Sequence, residues 1–303
     1  MSRKVALATV TMALAAVAVA HGGSASARDP NMRSAVRGTN GVAVPANVSR
    51  IVSLSASATE DLYAVGAGKQ VVAVDEYSST PRSAPRTKLS GYQPNVEAIA
   101  KYRPDLVIDD QDADDLTGHL KTLGIPVLIE SAPNTLAGAY QQIEQLGDAT
   151  GHAKQAVAVV KTMRARIAKI VASTPKPKKP LTVYHELDQT FYSASSHTFI
   201  GQLYSLLGLR NIADKAVKVS PYPQLSAEYV IASNPDLIVL ADTVCCGQSA
   251  ATVARRPGWS TITAVKEHHV LAVNDSLASQ WGPEIVGFLQ IVADEVRRLV
   301  SAR

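Results

Sequence analysis

The chain has 303 residues, enough for one large or two medium domains with a substantial core. Hydrophobic residues make up 46% and charged residues 18%, which excludes a disordered chain. The formal charge of +4 falls to +2 if residues 1–27 are removed with Arg3 and Lys4, so no nucleic-acid partner is expected.

Arg3 and Lys4 precede an uncharged run from Val5 to Ala20 and a small-x-small site at Ala25-Ser26-Ala27. Residues 1–27 therefore read as an export signal, with Arg28 opening the mature chain; an uncleaved anchor helix is the alternative. No Cys lies near this segment, so the expected protein is exported, periplasmic or associated with the cell surface, and not a lipoprotein. Residues 28–48 are polar and read as a flexible leader.

Short β-branched runs then alternate with helical patterns. Arg50–Leu54, Val71–Val74, Leu106–Ile108 and Val127–Ile129 read as strands. Ala58–Ala67, Val96–Lys101 and Leu116–Leu123 read as helices, followed by a longer helical region from Leu136. Gly147 and Gly151 suggest a break, with a long helix from about His152 to Ala172 that the Pro-rich stretch Ser173–Pro180 ends. Strands resume at Leu181–Tyr184, Leu237–Leu240 and Val270–Val273, and a helical run from Pro283 to Leu299 follows.

One internal repeat organises this pattern. Val96-Glu-Ala-Ile-Ala-Lys-Tyr-Arg-Pro-Asp-Leu-Val-Ile108 recurs as Ala227-Glu-Tyr-Val-Ile-Ala-Ser-Asn-Pro-Asp-Leu-Ile-Val239, at an offset of 131 residues (96 to 227). The expected architecture is α/β, with two lobes of mainly parallel sheet bridged by a single long helix. The first lobe is placed at 49–150, the linking helix at 151–175 and the second lobe at 180–303.

Arg50–Glu60, the Asn95–Ile108 repeat and Pro221–Val230 together resemble the cobalamin- and siderophore-binding class of periplasmic binding proteins of ABC importers. The resemblance runs from about residue 48 to 300. It implies a ligand cleft between two lobes that move little, a metal-chelate ligand and a permease partner. Cobalamin stands first among the ligands, and ferric siderophore or haem next. No enzyme activity and no resident cofactor or metal are expected, and the chain is expected to be a monomer.

In open α/β sheets ligands bind beyond the carboxyl ends of strands, and pockets favour domain interfaces. The segments after the expected strands carry Tyr77, Asp110, Glu186, Tyr192, the adjacent pair Cys245-Cys246, and Trp281. The resemblance places pocket aromatics at Tyr77, Tyr92, Tyr192 and Tyr222. Where cobalamin binders tend to carry a Trp after the third strand, this chain has Asp109 and Asp110, which leaves room for a more polar or cationic chelate. Cys245 and Cys246 form a vicinal disulfide at the cleft wall, two small buried residues, or metal ligands. Glu97 and Glu228 sit at matching positions of the repeat, each two residues after an N-cap candidate, Asn95 or Ser226. Their equivalence, and the resemblance, mark them as contacts to the two halves of a permease.

The histidines lack metal-site spacing, and neither a Gly-x-Ser-x-Gly elbow nor a phosphate loop is present. The alternatives are a secreted α/β hydrolase or a surface adhesin with a degenerate cleft.

Overall fold

A computed structural model describes residues 36–301. The export signal expected at 1–27 lies outside the described residues. In the first lobe the elements run β1 (Ile51–Ser53), α1 (Ala56–Ala64), β2 (Val71–Val74), α2 (Val96–Ala100), β3 (Leu106–Asp109), α3 (Leu116–Thr122), β4 (Val127–Ile129) and α4 (Leu136–Thr150). The connecting helix α5 spans Ala153–Ser173. The second lobe continues with β5 (Thr182–Glu186), α6 (Phe199–Leu206), β6 (Arg210–Asn211), α7 (Ala227–Ser233), β7 (Leu237–Leu240), α8 (Ala250–Ala254) and α9 (Thr263–Lys266). It closes with β8 (Val270–Ala272), α10 (Asp275–Ser279) and α11 (Ile285–Ser301).

Among the described residues two four-stranded sheets form, in the orders β2-β1-β3-β4 and β6-β5-β7-β8. Every pairing in both is parallel. The topology is the same in each, with the first strand of the lobe second in the sheet. The repeat explains how this is built. Asp105 accepts hydrogen bonds from the Ser49 hydroxyl and backbone N–H, both at 2.8 Å, just before β1. Asp236, its equivalent, accepts from the Thr182 N–H at 2.7 Å and hydroxyl at 2.9 Å, at the start of β5. Each Pro-Asp-Leu thus brings a third strand into register beside the first.

Both faces of each sheet are covered, as parallel sheets require. Alternate residues divide between two cores. Leu106 and Ile108 of β3, and Leu237 and Val239 of β7, enter one continuous core shared by both lobes with α4, α5 and α11. Val107 belongs to a separate core on the outer face of the first sheet. Ile238 and Leu240 belong to its counterpart on the second. Helix α5 buries a single stripe, Ala156, Val160, Met163, Ile167 and Ile170, against the shared core. Its spacing of four and three residues is that of one helix face. A helix of this length is roughly 30 Å long.

The second lobe also reaches across directly. Leu136 N–H donates to the Gln202 side chain at 2.8 Å, Trp281 N–H to the Ser57 hydroxyl at 3.3 Å, and Glu284 N–H to the buried Glu60 carboxyl. A side chain at Gly282 would meet that carboxyl, so the glycine leaves Glu60 free to reach the Glu284 N–H.

Part of the expected leader is packed. Thr39 N–H donates to Val127 O at 2.6 Å and Asn40 donates to Ile125 O at 2.9 Å, so residues 38–44 cover the edge strand β4. An uncovered edge would leave its backbone groups open to pairing with another chain.

Candidate functional site

The carboxyl ends of the two sheets present different chemistry. In the first lobe Ser55 caps α1 directly after β1, and Thr59 on the next turn lies 2.8 Å from the hydroxyls of both Ser53 and Ser78. After β2, Asp75 accepts from the backbone N–H groups of Tyr77 (3.2 Å) and Ser78 (3.1 Å). Arg86 clamps the carbonyls of Ser78 and Ser79. This tight turn holds Tyr77 outward, 56% exposed. Tyr77 meets Tyr92, itself 65% exposed, edge to face with ring centroids 5.4 Å apart. Gly91 lets the Tyr92 segment lie against the sheet, since a Cβ there would stand 2.5 Å from Leu54 O.

Behind the tyrosines lie acids that form no ion pair among the described residues. Asp109 ends β3 fully buried, with one carboxyl oxygen lacking a hydrogen-bond partner. Burial, with the neighbouring Asp110 and Asp75 charges adding, pushes its pKa up to about 8. Asp110 is half-buried and also raised by burial, with a hydrogen bond to Ser55 opposing. Glu130, after β4, is lifted to about 7 by burial. Glu60 is likewise lifted to about 7 by burial, and burial also raises Asp61 beside it, well above the usual carboxylate range.

The second lobe has a base. Arg256 donates to both oxygens of Glu186, each at 2.6 Å, and to the Gln248 side chain at 2.7 Å. The Tyr184 hydroxyl donates to Glu186 at 3.1 Å. The guanidinium lies 4.5 Å above the Trp259 ring and 5.5 Å from Phe191. Asp242, buried beside this pair, is raised to about 7 by burial and then by the Glu186 charge. Glu186 was expected to touch ligand, and the structure corrects this. It is fully buried and its oxygens are occupied by Arg256 and Tyr184, so it fixes Arg256 from behind the wall.

Tyr192 (41% exposed) and Tyr222 (37% exposed) stand on two segments that hydrogen-bond to each other. Ser193 N–H donates to Pro223 O and Ser195 N–H to Pro221 O, both at 3.0 Å. Trp281 is half-buried where the second lobe crosses to α1. Cys245 and Cys246 are joined by a vicinal disulfide. Cys245 is exposed, so the pair is not two buried small residues. Glu97 and Glu228 are exposed in the first turns of α2 and α7. The flanking caps match: Asn95 accepts from Ala98 N–H at 2.8 Å and Ser226 from Tyr229 N–H at 3.2 Å. Among the described residues no group of three or more His, Cys, Asp or Glu is arranged to hold a metal ion, and no helix is long and apolar enough to cross a membrane.

Sequence reasoning missed Arg256, Asp242, Asp275 and Glu60. Arg256 lies 70 residues from Glu186 and in no motif, so only the folded chain, which brings the turn after α8 to the end of β5, reveals it.

Residues 51–277 match the family described as periplasmic binding protein. The chain belongs to that family, whose members are solute-binding proteins and not enzymes. It is 30% identical over 264 residues to the uncharacterised ABC transporter substrate-binding lipoprotein YvrC of Bacillus subtilis, covering 84% of this chain and 82% of that protein. It is 33% identical over 247 residues to a cobalamin-binding protein of Halobacterium salinarum, covering 78% of this chain and 66% of that protein. In fold it resembles the periplasmic haem-binding protein RhuT of Roseiflexus sp. RS-1, with a TM-score of 0.73 at 23% identity, covering 83% of this chain and 99% of that one. Coarsely, then, the chain is a substrate-binding protein of the kind that serves ABC transporters. The expectation that it is not a lipoprotein is overturned by the YvrC comparison, because that relative is a lipoprotein. Export itself is consistent with the same relative.

Proposed function

We propose that the chain captures cobalamin, with ferric siderophore or haem as the next candidates, and delivers it to its importer. The observation that carries this reading is the exposed Tyr77–Tyr92 pair at the strand ends of the first lobe. A tyrosine offers a flat apolar face to a macrocycle and a hydroxyl to its peripheral amides. Tyr192, Tyr222 and Trp281 supply further aromatic surface from the second lobe, and a relative of 33% identity is a cobalamin-binding protein. Asp110, beside Tyr92, suits a neutral or cationic ligand group better than an anionic one.

The test is a titration of purified protein with cyanocobalamin, haemin and a ferric hydroxamate. Cyanocobalamin is expected to bind at a single site. Replacing Tyr77 and Tyr222 together by Ala should weaken it by a few kcal/mol at most, from about 1 kcal/mol per aromatic contact plus lost burial. Unchanged affinity in that variant would place the cleft elsewhere.

Glu97 and Glu228 are the proposed contacts to the permease. The repeat sets one on each lobe, and a two-fold permease with a basic pocket on each half would receive both. The bland alternative is helix-start chemistry, because a carboxylate near a helix N-terminus is favoured by the dipole. Glu97→Lys with Glu228→Lys should leave ligand affinity intact and abolish transport in reconstituted vesicles. Uptake that survives the double reversal would refute the docking role.

A further inference from the structure

The loop Thr243–Gln248 follows β7 on the second lobe and carries an apolar tip at its centre. Val244 is 70% exposed and Cys245 is exposed. Such a tip costs free energy in water unless something covers it, and a loop free to fold inward would bury it. This loop is held out instead. Asp275, at the start of α10, accepts from Val244 N–H at 2.9 Å, Cys245 N–H at 2.8 Å and the Thr243 hydroxyl at 3.1 Å. Gln248 N–H donates to Asp242 O at 3.2 Å, and its side chain donates to Cys246 O at 3.3 Å while accepting from Arg256. The Arg256–Glu186 pair thus anchors one end of the loop and α10 the other.

The tip has an orientation relative to the first lobe. Ser276, next to Asp275, lies 3.4 Å from Ser79, hydroxyl to hydroxyl. Ser79 is two residues from Tyr77 on the turn that Arg86 clamps. The disulfide loop and the tyrosine turn therefore flank the same edge of the cleft, each fastened by its own charged side chain. Within the loop the N–H groups of Val244 and Cys245 are held by the Asp275 carboxylate, and Arg256 beneath it is held by Glu186. The side chains at its tip are Val244 and the two disulfide-bonded cysteines, with the Asp275 carboxylate behind them.

We propose that the vicinal disulfide Cys245–Cys246, with Val244, is the second-lobe plate for the apolar ring face of the ligand, opposite Tyr77 and Tyr92, and that it selects a flat, non-anionic macrocyclic chelate over a hydrophilic anionic one. The disulfide supplies polarisable sulfur that packs well on rings. Joining neighbouring residues closes almost no loop, so its contribution lies in shape and not in chain entropy. This inference rests on the cleft reading above and deepens it.

Three arms test it with cyanocobalamin, haemin and ferric citrate as probes, by calorimetric titration. Oxidised wild-type protein should bind cyanocobalamin in strong preference to ferric citrate. Cys245→Ser with Cys246→Ser should bind cyanocobalamin roughly tenfold more weakly, the size of a lost sulfur–ring contact with some loosening of the loop. Treating wild-type protein with a phosphine reductant should produce a loss of the same kind and leave the serine variant unmoved. The reduction arm changes no residue, so it stands even if the variant fails to fold. Wild-type affinity in both the reduced protein and the serine variant would overturn the plate while leaving the cleft in place. Preference of wild-type protein for ferric citrate would overturn the selectivity. If wild-type protein binds none of the probes, the cobalamin reading falls first and the plate with it.

Discussion

The two lobes share a topology and a repeated sequence, yet their strand ends are built on opposite electrostatic plans. In the first lobe Asp75, Asp109, Asp110 and Glu130 gather with hydroxyls and exposed tyrosines, and burial raises all four carboxyls. In the second, Glu186 and Asp242 are gathered around Arg256, which is stacked on Trp259. The difference teaches that the fold dictates where loops converge and leaves their chemistry open. The first lobe keeps unspent acceptors and aromatic faces, suited to contacting a ligand. The second spends the half-buried Arg256 cation on Glu186, suited to holding loops still while others make contact.

The strongest way to break this comparison is to remove the base. Arg256→Ala leaves Glu186 and Asp242 as buried acids with no cation between them, and Glu186 with the Tyr184 hydroxyl as its remaining donor. Removing one member of a buried pair costs about 3–5 kcal/mol. Urea unfolding should show that loss, and Glu186→Gln added to Arg256→Ala should recover part of it. A cost near that of an ordinary surface substitution would mean that the second lobe is no more internally tied than the first.

The acids of the first lobe make the opposite prediction, through pH. Glu130 has its pKa raised from 4.5 to about 7 by burial alone. A carboxyl raised in the folded state keeps its proton longer there than in the unfolded chain. Its contribution therefore favours folding at low pH and is lost as pH rises from about 4.5 to 7. Glu130→Gln should flatten that part of the stability profile and stabilise the protein at pH 8 by up to roughly 3 kcal/mol. Stability curves against pH for both proteins check it. A parallel pair of curves would show that Glu130 is ionised in the folded chain and solvated by some other route.

How far the sequence carried this asymmetry varies by feature. Strands β2, β4 and β7 lie where their β-branched runs placed them, because short buried parallel strands are continuous apolar blocks bounded by turn residues. The break between α4 and α5 also fell near Gly151, which ends α4 in a left-handed conformation at φ 84°. Several second-lobe elements were not legible. Helix α6 is apolar on most faces because it is buried, so it shows little periodicity, and β6, α8 and α9 are too short to show any. The strand-end rule located the loops that carry Tyr77, Asp110 and Cys245. It could not distinguish a side chain on the wall from one behind it, which is why Glu186 was misread. That distinction depends on Arg256, whose contact with Glu186 spans 70 residues and leaves no local pattern.

The smallest effect tests where the lobes are alike. Asn95 and Ser226 cap equivalent helices of the repeat through equivalent side-chain acceptors. Asn95→Ala and Ser226→Ala should each cost about 1 kcal/mol of unfolding free energy, the usual loss for an N-cap. The two should also be nearly additive, since they lie on separate lobes and share no partner. Ser226 carries one feature that Asn95 is not shown to share: with the residue's own backbone N–H, its hydroxyl lowers the pKa of the exposed Glu228 carboxyl. Ser226→Ala should therefore raise that pKa toward the ordinary glutamate value, which a pH titration followed by NMR of the side-chain carboxyl would read. Equal costs with that shift would mean that the repeat preserved its backbone chemistry in both lobes while the strand ends diverged. A cap that matters in one lobe and not the other would instead extend the asymmetry from the cleft to the outer helices, and would set Glu97 and Glu228 in different surroundings despite their matched positions.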